Sequence, residues 1–213
     1  MVEEKTSPSQ EFTVDVIVSP TNAHKILAEF MGTYIIIFVG CGSILADKRY
    51  RLTIMGIAVA WGLAVMVMIY SLGHISGAHF NPAITVAFAV SRACLCCISV
   101  AGFNSCNLYT LNVLFNVRVD IRATVTQYLG PTTSLEALTW EFMISFVNFD
   151  INELSGVAVG SAVLFNGLIA GSTTGASMNP ARSIGPAIVS GEYHRLWVYN
   201  VAPTLGTMAA TSI

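Results

Sequence analysis

Charge is scarce in this chain of 213 residues: Asp, Glu, Lys and Arg together make up 10% of it, where soluble domains carry about 25%. A surface so thin in charge excludes an ordinary soluble domain. The ten Lys and Arg are scattered and set against twelve Asp and Glu, for a formal net charge of −2. That excludes a nucleic-acid-binding face. Cysteine is sparse and odd in number: Cys41, Cys94, Cys96, Cys97 and Cys106. Cys94-Leu95-Cys96-Cys97 has no His or acid beside it, so it does not read as a metal site. The five read as small apolar residues facing the membrane, with palmitoylation near a membrane end left open. No nucleophile–base pair stands out, so neither an enzyme nor a cofactor is expected. Residues 1–23 are polar, with Glu3, Glu4, Glu11 and Asp15, and no basic-then-apolar signal pattern opens the chain. The first apolar run is therefore read as retained.

Apolar residues are what the chain has, at 54% of its length and a mean hydropathy of +0.67. A spanning helix takes roughly 20 of them. Residues 26–46 carry one charge, Glu29, and residues 53–73, 154–172 and 196–213 carry none. These four runs read as spans. Residues 93–117 are uncharged but hold Asn104, Asn107, Asn112 and Asn116, so they span only if those amides find partners in a bundle. Residues 139–149, with Glu141, are 11 long and reach only ~16 Å, about half a bilayer core. Residues 118–134 read as a loop. The division is a polar tail at 1–23 and a membrane domain at 24–213.

That domain repeats itself. Ser76-Gly77-Ala78-His79-Phe80-Asn81-Pro82-Ala83 matches Thr174-Gly175-Ala176-Ser177-Met178-Asn179-Pro180-Ala181 at five of eight positions, and Glu29-Phe30-Met31 echoes in Glu141-Phe142-Met143. The halves run over about 24–117 and 135–213, and duplication of this kind places function at their junction. Glu29 to Asn81 is 52 residues; Glu141 to Asn179 is 38. The second half is thus short by three to four turns at ~3.6 residues per turn.

Asn before Pro opens a helix well, since Asn caps free amides and Pro at the first helical position sacrifices no hydrogen bond. Residues 82–90 and 180–189 would form helices of ~13–15 Å. Entering from opposite faces, they would meet near the midplane, N-terminus to N-terminus. Each tip carries roughly half a positive charge, which repels cations in a low-dielectric surround and opposes a proton on a water file. The amides of Asn81 and Asn179 can donate to a passing neutral oxygen. Arg182 lies near the Asn179 face and reads as a functional residue, the alternative being a snorkel at a helix end. Glu29 and Glu141 are either buried acceptors for loop amides or proton relays. His74 and His79 read as loop-packing residues, with a pore-mouth position open for His79.

The run Gly73 to Ala83, paired with Gly175-Ala176-Ser177-Met178-Asn179-Pro180-Ala181-Arg182-Ser183, resembles the aquaporin (major intrinsic protein) family. Ala28-Glu29-Phe30, Asn152-Glu153-Leu154-Ser155-Gly156 and Trp61-Gly62-Leu63 add to the match, within it most like the plant nodulin-type (NIP) subfamily. The resemblance covers about 24–92 and 151–206 well. It implies an all-α, right-handed membrane bundle of two inverted repeats with two re-entrant half-helices. It also implies a homotetramer with one pore per protomer and both termini cytosolic. The last point reverses the charge count, in which Lys48, Arg49 and Arg51 would place the first loop in the cytosol. Pore-lining residues would be Asn81, Pro82, Ala83, Asn179, Pro180 and Ala181, and the selectivity filter Trp61, Gly167, Ala176 and Arg182. Similar Trp-bearing members carry an aliphatic residue where this chain has Gly167, which implies a wider constriction.

The function so implied is passive passage of water, glycerol-sized polyols and undissociated metalloid acids. The chain would be a multi-pass protein of the plasma membrane or another cellular membrane. An ion-coupled transporter would need paired acids by its substrate, and only Glu29 and Glu141 qualify. Spans three, four and six depart from the family pattern, and the chain stops inside the sixth. The alternative expectation is therefore a truncated, non-conducting fragment, or a defective partner in mixed tetramers.

Overall fold

The computed structural model describes residues 21–91, 121–128, 130–148 and 155–212. The doubtful third span, its four asparagines and Cys94, Cys96, Cys97 and Cys106 lie outside that range, as does most of the polar tail. Seven α-helices and one 3₁₀ turn form the described part.

α1 (Asn22–Tyr50) and α2 (Thr53–Ser76) are 29 and 24 residues, or ~43 and ~36 Å at 1.5 Å per residue, long enough to cross a bilayer. The Thr21 side chain caps α1, and Arg51 ends it in the left-handed region at φ 53°. The Asp47 carboxylate then takes the Thr53 N–H at 2.7 Å and turns the chain directly into α2. α3 (Pro82–Ser91) has 10 residues. After a 3₁₀ turn at Ile121–Thr124 come α4 (Ser134–Val147), α5 (Ser155–Ala170), α6 (Pro180–Ser190) and α7 (Val198–Ala210).

Three expectations shift. α4 begins five residues before the apolar run at 139, because Thr133 and Glu136 form a capping box. Glu136 N–H donates to Thr133 Oγ1 at 3.2 Å, and Thr133 N–H donates to Glu136 Oε2 at 2.7 Å. The end of the polar stretch at 118–134 is thus a helix start, and α4 is 14 residues, ~21 Å. The missing length falls after Glu141, where α4 stops at Val147 while α1 runs on to Tyr50. α5 and α7, at 16 and 13 residues, are shorter than the apolar runs around them. The chain turns at 171–174 after α5 and at 194–197 before α7. Among the described residues only α1 and α2 have both the length and the apolarity of a full span. Cys41 faces inward: it is fully buried against Ile37 and Ala181.

Lipid gives two apolar helices no hydrophobic reason to associate, so close backbone approach must supply it. α2 and α5 meet through small residues in opposite directions, with Gly171 near Ile54, Gly167 near Ala58 and Gly156 against the Tyr70 ring. Gly62 and Gly160 sit at the centre. A Cβ on Gly62 would lie 2.6 Å from the Gly160 carbonyl oxygen, and one on Gly160 would lie 2.7 Å from the Gly62 carbonyl oxygen. Residues 98 apart in sequence, equivalent in the two repeats, therefore contact each other reciprocally. Such a contact marks a two-fold relation, here between the halves of one chain. α4 and α7 are equally close, with the Phe146 N 3.1 Å from where a Gly206 Cβ would be. Leu63 and Val67 on α2 and Phe165 and Ile169 on α5 are exposed large apolar residues, a surface suited to lipid.

Gly62→Val and Gly160→Val are each expected to destabilise the fold by at least about 1–3 kcal/mol through overpacking. Their effects should be similar in size and non-additive when combined. Gly42→Ala, with nothing near its position, is expected to be neutral or mildly stabilising. Thermal unfolding midpoints in detergent check all four variants.

Candidate functional site

The repeated Gly-Ala-x-x-Asn segments link a long helix to a short one through unusual backbone. Gly77 (φ 90°), Ala78 (φ 51°) and Phe80 (φ 45°) lie in the left-handed region, and so do Gly175 (φ 85°), Ala176 (φ 44°) and Met178 (φ 54°). Glycine tolerates this at the turn, but the alanines and the larger residues need outside support. Two buried carboxylates give it. Glu29 of α1 accepts from His79 N–H at 2.9 Å and Phe80 N–H at 2.7 Å. Glu141 of α4 accepts from Ser177 N–H at 3.0 Å, Met178 N–H at 2.9 Å and the Thr174 hydroxyl at 2.6 Å. Ser76 and Thr174 hydroxyls accept from the Ala78 and Ala176 amides. Tyr199 of α7 donates to the Thr174 carbonyl at 2.7 Å, closing the second loop more fully than the first.

Each loop ends on its asparagine. Asn81 Oδ1 accepts from Ala83 N–H at 3.0 Å, and Asn179 Oδ1 accepts from Ala181 N–H at 2.9 Å. The amide nitrogens cross over: Asn81 Nδ2 donates to the Met178 carbonyl at 2.8 Å, and Asn179 Nδ2 donates to the Phe80 carbonyl at 2.9 Å. The N-termini of α3 and α6 are thus tied tip to tip by a reciprocal pair of bonds. An amide carries two N–H groups, so one on each asparagine is uncommitted among the described residues.

A cavity of about 510 Å³ borders both asparagines. Trp61, Gly167, Ala176 and Arg182 all line it, and so does His79. Pro82, Ala83, Pro180 and Ala181 are not on its wall. Ala83 and Ala181 are fully buried; the Ala83 carbonyl accepts from Thr207, and Ala181 packs on Ile37 and Cys41. The capping side chains border the cavity, while Ala83 and Ala181 lie in the packing around each helix.

Arg182 is 5% exposed, so it does not snorkel to water. Its guanidinium carbon lies 5.2 Å from the Trp61 ring centre, and Nη1 donates to the Thr124 carbonyl and to Thr126 Oγ1, each at 3.1 Å. No carboxylate pairs with it among the described residues, where the one ion pair is Arg122–Glu192. Gly40 leaves the space that the Trp61 ring fills. A Cβ on Gly167 would lie 3.1 Å from the Ala58 Cβ, so glycine there serves the α2–α5 packing as well as widening the cavity. His79 Nδ1 is 3.2 Å from Thr85 Oγ1, and its ring stacks on Phe88 at 4.9 Å. His74 is not packed in a loop but exposed in the last turn of α2.

Sequence reasoning passed over several partners: Thr124 and Thr126, Ser177 and Ser183, Tyr199, and Asn166, whose Nδ2 donates to the Ile144 carbonyl at 2.9 Å. Thr126 sits in a stretch read only as loop, where no periodicity points to a contact more than 50 residues away. Ser177 lies inside the repeated block and Ser183 two residues beyond it, and they carried a signal through that position alone.

Comparison with known proteins agrees with this geometry. The major intrinsic protein family profile matches residues 16–213. The chain is 46% identical over 216 residues to aquaporin NIP1-1 of Zea mays, covering 91% of this chain and 74% of that protein. It is 40% identical over 218 residues to Nodulin-26 of Glycine max, covering 92% and 78%. In fold it resembles the X-ray structure of the aquaglyceroporin from Plasmodium falciparum, with a TM-score of 0.75 at 22% identity over 90% of this chain and 95% of that one.

Removing either acid orphans the donors it serves. At about 1–3 kcal/mol per orphaned buried group, Glu141→Leu is expected to cost more than Glu29→Leu, because three donors lose their acceptor rather than two. Unfolding midpoints of the two variants in detergent, compared with the parent, give the order.

Proposed function

The chain belongs to the major intrinsic protein family, and we propose that within it the chain forms a passive channel for water and uncharged solutes up to the size of glycerol. The observation that carries this reading is the reciprocal bonding of Asn81 and Asn179, which holds two helix N-termini together beside a cavity lined by Arg182 and Trp61.

Each helix tip contributes roughly half a positive charge, and Arg182 adds a full one with no ion-paired carboxylate among the described residues. A cation entering this low-dielectric space would shed its hydration and meet positive potential from three sources. A proton passed along a water file would meet the same field. A neutral solute has neither difficulty. The uncommitted N–H groups of Asn81 and Asn179 and the Arg182 guanidinium offer donors to water or hydroxyl oxygen. The Trp61 face offers apolar contact to carbon. Trp61, Gly167, Ala176 and Arg182 are assigned as the selectivity filter, and Gly167 in place of a larger residue favours a polyol over water alone. Undissociated metalloid acids, which are small, neutral and hydroxyl-rich, fit the same donors. The buried acids Glu29 and Glu141 hold the two loops and carry no protons across. Four copies, each with its own pore, would assemble in a plasma membrane or another cellular membrane.

Vesicles containing the protein are expected to show water and glycerol permeability above protein-free vesicles, measured by light scattering after an osmotic step. Flux equal to that of empty vesicles would sink the reading. Arg182→Ala is expected to raise cation leak, read with a potential-sensitive dye. A barrier lowered by about 1.4 kcal/mol gives tenfold more leak, and an unchanged leak would remove Arg182 from the filter.

A further inference from the structure

Three buried hydroxyls stand between the Arg182 side chain and the Asn179 backbone, and nothing in the channel reading uses them. Thr126 Oγ1 is 3.1 Å from Arg182 Nη1 and 2.6 Å from Ser183 Oγ. Ser183 Oγ is 2.5 Å from Ser177 Oγ, which in turn is 3.0 Å from the Asn179 carbonyl oxygen. Thr126, Ser183 and Ser177 are 3%, 0% and 4% exposed, so bulk water has little access to them.

The chemistry fixes the direction of this chain. A guanidinium only donates, and a hydroxyl has a single hydrogen. The Asn179 carbonyl can only accept, so the one hydrogen of Ser177 goes to it. Ser183 must then donate to Ser177 and Thr126 to Ser183, while Thr126 accepts from Arg182. Every hydroxyl is used once as donor, all in the same sense, and such a chain polarises itself and strengthens each link.

The first repeat supplies an internal comparison. Ninety-eight residues earlier, the positions of Ser177 and Ser183 are held by His79 and Thr85, also in contact at 3.2 Å. The position of Arg182 is Ile84, and Thr85 simply donates back to the Asn81 carbonyl at 3.2 Å. The pairing behind the asparagine is therefore common to both halves. Only the second half extends it, through Thr126, to a cation.

We infer that Thr126, Ser183 and Ser177 act together as a positioning relay that holds Arg182 in the filter, so that buried hydroxyls behind Arg182 set the channel's discrimination; the inference rests on the channel reading above. Arg182 has two acceptors, Thr124 and Thr126, and both are served by one nitrogen. Loss of the relay leaves the guanidinium a single backbone anchor and frees it to swing away from Trp61.

The test uses the full chain with Trp140→Phe and Trp197→Phe, which leaves Trp61 as its one indole. Two signals are read: Trp61 emission in detergent, and the glycerol-to-water permeability ratio in vesicles. Thr126→Val is expected to shift the emission toward that of Arg182→Leu and to change the ratio. Thr126→Ser, which keeps the hydroxyl, should match the parent in both. The Ser183 hydroxyl bonds Thr126 and Ser177 rather than the guanidinium, so Ser183→Ala should shift both signals in the same direction by a smaller amount. A change in either signal with Thr126→Val that Thr126→Ser does not share, followed in the same direction by Ser183→Ala, supports the relay. Three results overturn it: Thr126→Val matching the parent in both signals, Val and Ser departing equally, or Ser183→Ala matching the parent in both. If the parent passes neither water nor glycerol, the channel reading fails, and Trp61 emission alone decides the relay by the same criteria.

Discussion

Asn81 and Asn179 each give one amide hydrogen to a backbone carbonyl of the opposite loop, at 2.8 and 2.9 Å, and the rest of the architecture is arranged so that this exchange can occur. Two short helices must end at the same point, so each loop must bring its chain there in left-handed backbone. That backbone persists only because Glu29 and Glu141 take its amides. The acids reach the loops only if α1 and α4 lie against them, and α2 and α5 bring the halves close enough only by meeting glycine to glycine at 62 and 160. Each step depends on the one before.

The arrangement is electrostatically awkward. A buried arginine as the third residue of a helix adds positive charge where the helix is already positive, and no carboxylate forms an ion pair with it among the described residues. Burial of an unpaired charge is expensive unless hydrogen bonds satisfy it. Here the Thr124 carbonyl, the Thr126 hydroxyl and the Trp61 ring do so in part, and the residue borders the cavity. The same incompleteness that makes Arg182 costly to place leaves it able to bind a hydroxyl and to repel a cation. Stability and selectivity pull against each other at this residue.

Much of the fold was legible because a membrane chain advertises it. The repeat, the starts of both half-helices and the cores of α1 and α2 follow from residue spacing and uncharged runs. The start of α4 was misplaced because attention to apolar residues passed over Thr133 and Glu136, whose spacing of three is a helix start in its own right. The close approach of α2 and α5 was also there to be read, in the four-residue spacing of Gly156 with Gly160 and of Ala58 with Gly62. At the site, Asn81, Asn179, Arg182 and the two acids stood out from an apolar background. Thr126, Ser183 and Tyr199 did not, since hydroxyl residues are common and only their partners make them distinctive.

By itself the sequence determined that this chain lives in a bilayer, that its two halves are copies, and that each copy turns through Gly-Ala into an asparagine-capped helix. Those features depend on local composition and spacing, which neighbouring residues impose on one another. Only the tertiary structure decided that the two caps bond across the repeat, that Ala83 and Ala181 are buried in the packing behind them, and that Arg182 rests on a loop more than 50 residues earlier. Such contacts are set by how helices from distant parts of the chain close on one another in three dimensions, and no periodicity along the chain encodes that.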